Sequence, residues 1–257
     1  MLSFLRPPLE LLGMIGGYLV VGLALVWLLG PLTGMIAVHL AVIVLWLVLR
    51  LRARRTGTPL RRPDGGQRRD LTGRQWLTAL SATIVIWASA QIIAAWIHAQ
   101  NEAFGAQLPS DESIGYLGVL LALALAVVFA PLGEELLLRG MVYGRMRRTY
   151  SPVLAGLITA GVFALLHGNL VQIVLTFPIG VLFAAVIEVS GRLRITIALH
   201  GVFNMLSVFG PTGGIRAAAA QEWIVLLCIP ILLVTAAAAT RGLLASAKQP
   251  DRARTGT

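Results

Sequence analysis

The sequence is poor in cysteine, in charge and above all in acid. One cysteine, Cys228, stands among 257 residues, so no intrachain disulfide can form and cysteine usage does not identify a redox compartment. Charged residues make up 12% of the chain against 57% hydrophobic, and a soluble core of this size cannot hide that much apolar surface. Acids number 11 against 21 basic residues. The resulting net charge of +10 suggests a nucleic-acid binder only until the basic residues are located, because they cluster between apolar stretches. No His-Glu-x-x-His zinc signature occurs among the four histidines, and no internal repeat is visible. No small-residue cleavage site cleanly follows the first apolar stretch, so that stretch is expected to be a retained helix rather than a signal peptide.

What is present is apolar length. Stretches near the roughly 18–20 residues needed to cross a bilayer core lie at 11–30, 32–49, 76–97, 115–134, 152–167, 170–189, 194–210 and 222–240. The expectation is an all-α polytopic membrane protein with about eight transmembrane helices. Arg50, Arg52, Arg54, Arg55, Arg61, Arg62, Arg68, Arg69 and Arg74 fall between the second and third stretches. The positive-inside rule makes that loop cytoplasmic, and eight crossings then put both termini in the cytoplasm of a cell-membrane protein. The loop from His98 to Ser113 holds Glu102, Asp111 and Glu112 but no Lys or Arg, as expected on the outer side.

The chain divides into two N-terminal helices (1–50), an Arg-rich cytosolic linker (51–75), a six-helix core (76–244) with its polar motifs in 131–205, and a disordered tail (245–257). The linker's Arg, Gly and Pro content suits a flexible segment that touches anionic headgroups. Chemistry is expected in the six-helix core alone.

Within that core, Glu134-Glu135 and Arg139 interrupt an apolar run. Each charge there opposes membrane insertion by about 2.5–3.5 kcal/mol, which makes a functional site the default reading. Glu135 and Arg139 are four apart in the favourable order for a structural ion pair. Glu134 points about 100° away and lacks that partner, leaving it as the candidate general base. Phe163 with His167, and His200 with Asn204, place two further pairs each on one helix face. At about 1.5 Å per residue, the depths of Glu134, His167, His200 and Asn204 overlap. Pro131 and Gly133 are expected to kink or break the helix beside Glu134, which is tolerable only where backbone faces protein or a hydrated cavity. His39, alone on the second helix, reads as a packing residue, as does His98 at an interface. Glu188 and Arg192 read as a surface pair.

Glu134-Glu135-x-x-x-Arg139, Phe163-x-x-x-His167 and His200-x-x-x-Asn204, in that order, resemble the three motifs of the CAAX prenyl endopeptidase and bacteriocin-processing family of intramembrane proteases, also called the Abi family. The resemblance covers roughly residues 115–208. It implies a helical membrane fold with a cavity open to the cytosol, where Glu134 activates water and His167 helps to hold it. By the same match His200 and Asn204 stabilise the oxyanion, while Glu135, Arg139 and Phe163 support the site. The family is described both as metal-dependent and as glutamate-dependent. Glu134, His167 and His200 are therefore also a possible zinc set, although a metal-free mechanism without cofactor is favoured. Eukaryotic members process prenylated proteins, whereas bacterial relatives are associated with peptide maturation or bacteriocin immunity; prenyl-protein processing is not the expected role here. The expected partners are a peptide or membrane-protein substrate and the lipid bilayer, with no nucleic acid. A transporter or proton relay built on the same buried Glu and His groups is the competing reading.

Overall fold

The computed structural model describes residues 2–57, 69–100, 115–210 and 212–247, all of whose regular elements are helical. The acidic loop residues Glu102, Asp111 and Glu112, residues 58–68 of the Arg-rich linker and residues 248–257 of the C-terminal tail lie outside the described residues. Among the described residues nine helices follow in order: α1 (Leu2–Leu29), α2 (Pro31–Arg55), α3 (Gly73–Gln100), α4 (Gly115–Met146), α5 (Pro152–Leu165), α6 (Leu170–Ser190), α7 (Leu193–Phe209), α8 (Thr212–Ala219) and α9 (Glu222–Ala247).

All eight apolar stretches are helical, but they do not give eight full-length spans. Among the described residues six helices are long and apolar enough to cross a membrane, and a seventh joins them if the bent pair of α7 and α8 is one span. Helix α5, with 14 residues, is about 21 Å long, short of a bilayer core of about 30 Å. The chain is a multi-pass, all-α membrane protein.

Local sequence sets the helix ends. Thr72 and Gln75 form a reciprocal capping box at the start of α3, Gln75 Oε1 accepting from the Thr72 amide at 2.9 Å and Thr72 Oγ1 from the Gln75 amide at 3.3 Å. Ser151 caps α5 ahead of Pro152, and Asn169 caps α6 by accepting from the amides of Val171 and Gln172. Gly191, at φ 60°, closes α6 in the left-handed conformation that glycine adopts most readily.

Helix α6 is the centre of the bundle, with Ile179, Leu182, Phe183 and Val186 buried. Small residues bring α5 against it: a Cβ at Gly156 would meet Ala184 at 3.3 Å and one at Gly180 would meet the Ala160 backbone at 3.1 Å. Close approach at Gly and Ala is how helices gain packing in lipid, where burial of apolar side chains brings little net advantage. The outer helices keep large apolar groups exposed, among them Leu12, Leu23 and Trp27 of α1 and Trp223, Leu226 and Val234 of α9. On a membrane helix these are the lipid-facing positions.

The two N-terminal helices do not stand apart from the core. Helix α2 packs on α4, where a Cβ at Gly140 would meet Trp46 Nε1 at 3.1 Å. The expected Glu188 with Arg192 pair is not formed. Glu188 instead accepts two hydrogen bonds from Arg147, at 2.9 and 3.0 Å, and one from the Tyr143 hydroxyl at 2.9 Å. Gly191 ends the helix before Arg192, so the four-residue helical spacing does not carry across, and Arg192 and Arg194 turn to Asp70 at 3.1 and 2.9 Å.

Candidate active site

The site is built on α4, whose 32 residues remain helical through Pro131 and Gly133. The expected break is replaced by two widened, π-helical turns, Leu125–Phe129 and Leu136–Val142, on either side of Ala130–Glu135. In such turns an amide reaches five residues back: Ala130 N–H bonds Leu125 O and Tyr143 N–H bonds Leu138 O. The ladder thus absorbs the amide that proline lacks without a chain break, and the motif acids sit between two turns of π-bulge type, which are frequent at functional sites.

Glu135 and Arg139 are both fully buried and paired, Arg139 Nη1 donating to Glu135 Oε1 at 2.7 Å. Arg139 Nη2 donates to the Gly180 carbonyl of α6 at 3.0 Å, and its guanidinium lies over the rings of Phe163 at 5.0 Å and Phe183 at 5.5 Å. Glu135 Oε1 has a second partner, His200 Nδ1 of α7 at 3.1 Å. A buried carboxylate shared between a guanidinium and an imidazole ties α4 to α7 while the arginine ties α4 to α6.

Glu134 differs from its neighbour in one decisive respect: 19% of its side chain is exposed, against none of Glu135. Its Oε2 lies 3.7 Å from His200 Nε2 and its Oε1 lies 3.6 Å from His39 Nε2. Both separations exceed hydrogen-bond length, so neither carboxylate oxygen is closed off by a direct bond to these rings.

His167 is anchored through Nδ1, 2.8 Å from the Phe163 carbonyl. Phe163 is the common wall, its ring meeting His167 edge-on at 4.9 Å and His200 edge-on at 5.6 Å between centroids. Asn204, one turn beyond His200, donates from Nδ2 to the Ala126 carbonyl at 2.8 Å. The structure therefore groups Glu134, Glu135, Arg139, Phe163, His167 and His200 closely, and sets Asn204 against the first widened turn of α4.

One neighbour was not legible in the sequence. His39 of α2, expected only to pack, is fully buried against Glu134. Its spacing to other polar residues carries no signal, since its partner lies on another helix; the sequence clue was Gly133, the small residue beside the motif that lets α2 approach.

A carboxylate and several imidazoles raise the question of zinc, which binds such donors in tetrahedral sets. Among the described residues no group of three or more His, Cys, Asp or Glu side chains is arranged to hold a metal ion.

Comparison with known proteins bears on the same stretch. Residues 116–206 match the family model described as Rce1-like, type II CAAX prenyl endopeptidase. An uncharacterized 24.3 kDa protein of Escherichia coli is 30% identical over 167 residues, covering 63% of this chain and 74% of that protein. The chain belongs to the CAAX prenyl endopeptidase and bacteriocin-processing family. No solved structure matches it. Membership in this family makes the chain a membrane endopeptidase of CAAX type in its broad class. The matched region contains all three motif pairs and the whole of α6, and it leaves α2, with His39, outside.

Proposed function

We propose that this member of the family hydrolyses peptide bonds within the membrane by a metal-free mechanism in which Glu134 activates water. The observation that carries the reading is the contrast between the two adjacent acids: Glu135 is consumed by Arg139 and His200, while Glu134 is partly exposed and has two imidazole nitrogens nearby but no direct bond to either.

Donor bookkeeping assigns the imidazoles. The Phe163 carbonyl can only accept, so His167 Nδ1 carries a hydrogen, and a neutral His167 presents Nε2 as an acceptor that holds a water O–H. His200 Nδ1 faces a carboxylate already paired with Arg139, so this nitrogen is also the donor. To stabilise an oxyanion, His200 carries a second hydrogen on Nε2, with Glu135 as its counter-ion. Asn204 has two N–H donors on one nitrogen; one serves Ala126, and the other is the candidate second oxyanion donor.

In the reaction, the water oxygen attacks the scissile carbonyl carbon as Glu134 takes a water proton. The developing alkoxide is stabilised by the preorganised donors, a contribution that typically reaches about 3–4 kcal/mol for one oxyanion donor. Collapse breaks the C–N bond, and the proton on Glu134 passes to the leaving amine. The substrate class is a peptide or membrane-protein segment that reaches a cytosol-facing cavity.

The test compares new peptide termini in cells carrying the wild-type chain with cells carrying Glu134→Ala at matched expression. Termini dependent on Glu134 are expected. Indistinguishable sets under several growth conditions would overturn the protease reading in favour of transport or proton relay through the same buried groups.

A further inference from the structure

His39 lies outside the region shared with the family model, yet its ring reaches the Glu134 carboxylate. It is fully buried on α2. Its Nδ1 sits 2.7 Å from the Met35 carbonyl, an acceptor only, so Nδ1 carries a hydrogen. The remaining nitrogen, Nε2, is buried, has no hydrogen-bond partner among the described residues, and faces Glu134 Oε1 at 3.6 Å. A buried polar atom without a partner is destabilising, and a histidine present only to fill space would be better replaced by an apolar side chain of similar volume.

The backbone of α4 accommodates the ring. A Cβ at position 133 would lie 2.5 Å from His39 Cδ2 and 2.9 Å from His39 Cβ, closer than real contacts allow. Glycine immediately before Glu134 is therefore what lets the imidazole reach the carboxylate. His39 and His200 approach different oxygens of Glu134, one from α2 and the other from α7.

From this geometry we infer that His39, carrying a hydrogen on Nε2 as well as on Nδ1, is a positioning residue for Glu134: the imidazolium holds Oε1 electrostatically from the α2 side, fixing the carboxylate plane so that Oε2 is presented to water beside His200. The inference rests on the reading of Glu134 as the base and extends it to a helix that the family motifs do not include. It also gives the N-terminal pair of helices a part in the chemistry.

The experiment uses the full-length chain, purified in nanodiscs, with two readouts. In 15N-histidine NMR the four histidines give few signals, and His39→Gln identifies that of His39. Glu134→Gln is expected to displace the His39 Nε2 resonance; an unmoved resonance overturns the contact whether or not the chain cleaves anything. The second readout is kinetic, on a synthetic peptide spanning a Glu134-dependent terminus. His39→Phe is expected to lower kcat about tenfold or more with KM within about twofold of wild type, and His39→Gln, which keeps a side-chain donor, to recover most of the loss. A His39→Phe enzyme with wild-type kcat, or a Gln variant no better than Phe at equal folded yield, reduces His39 to packing. Loss of cleavage differences between wild type and Glu134→Ala would instead fail the protease reading, and the NMR arm would still decide the contact.

Discussion

Asn204 of α7 donates a hydrogen bond to the carbonyl of Ala126 at 2.8 Å, five residues before Pro131, which has no amide to donate. In the widened turn Ala130 N–H reaches back to Leu125, and the amide due to reach Ala126 would belong to residue 131, which is proline. The asparagine therefore mends the ladder that the motif's own proline interrupts. Asn204→Ala is expected to destabilise the fold by about 0.5–1.5 kcal/mol, the effect of removing a hydrogen bond to a half-buried acceptor. Adding Pro131→Ala restores a backbone donor, so the double variant is expected to be less destabilised than the sum of its parts. Thermal unfolding of the four proteins of this cycle checks it; strict additivity would show that the two residues do not share this carbonyl.

The adjacent acids are expected to fail in different ways. Removing one partner of a buried ion pair leaves an uncompensated charge, typically a loss of about 3–5 kcal/mol, so Glu135→Ala and Arg139→Ala are expected to reduce the amount of folded protein. Glu134→Ala and His167→Ala remove groups with looser ties and are expected to leave a folded, membrane-inserted and inactive chain. Quantifying membrane accumulation together with cleavage separates the two classes, and equal loss of protein in all four would refute the division.

Gly133→Ala places a methyl group where the His39 ring lies. The variant is expected to lose about 1–3 kcal/mol of stability through overpacking and to lose activity as His39 is pushed from Glu134. Combining it with His39→Ala is expected to return the stability but not the full activity. Melting temperature and turnover measured on the same preparations distinguish these effects.

Away from the site, Glu188→Gln is expected to destabilise more than Arg192→Ala. Glu188 accepts from both Arg147 and Tyr143 and is mostly buried, and charge-assisted bonds of this kind contribute about 1.5–3 kcal/mol. Arg192 reaches Asp70 across an exposed loop, where pairs contribute about 0–1 kcal/mol. A comparison of unfolding midpoints in nanodiscs reads the order directly.

The sequence by itself determined the class of the molecule and most of its site. Apolar runs of spanning length leave no soluble alternative, and buried charge amid them marks Glu134, Glu135 and Arg139 because a membrane interior penalises unpaired ions. The Glu135 with Arg139 pair was legible because its geometry is that of a single helix. Tertiary structure decided whatever depends on two helices meeting. His39 joined the site and Asn204 found Ala126 because α2 and α7 pack on α4 at particular heights, and no spacing along one chain encodes that register. Glu188 took Arg147 in place of Arg192 because a left-handed glycine ended the helix between them. Helical periodicity reports which residues share a face; which face it meets is settled only when the small residues of neighbouring helices let their backbones close.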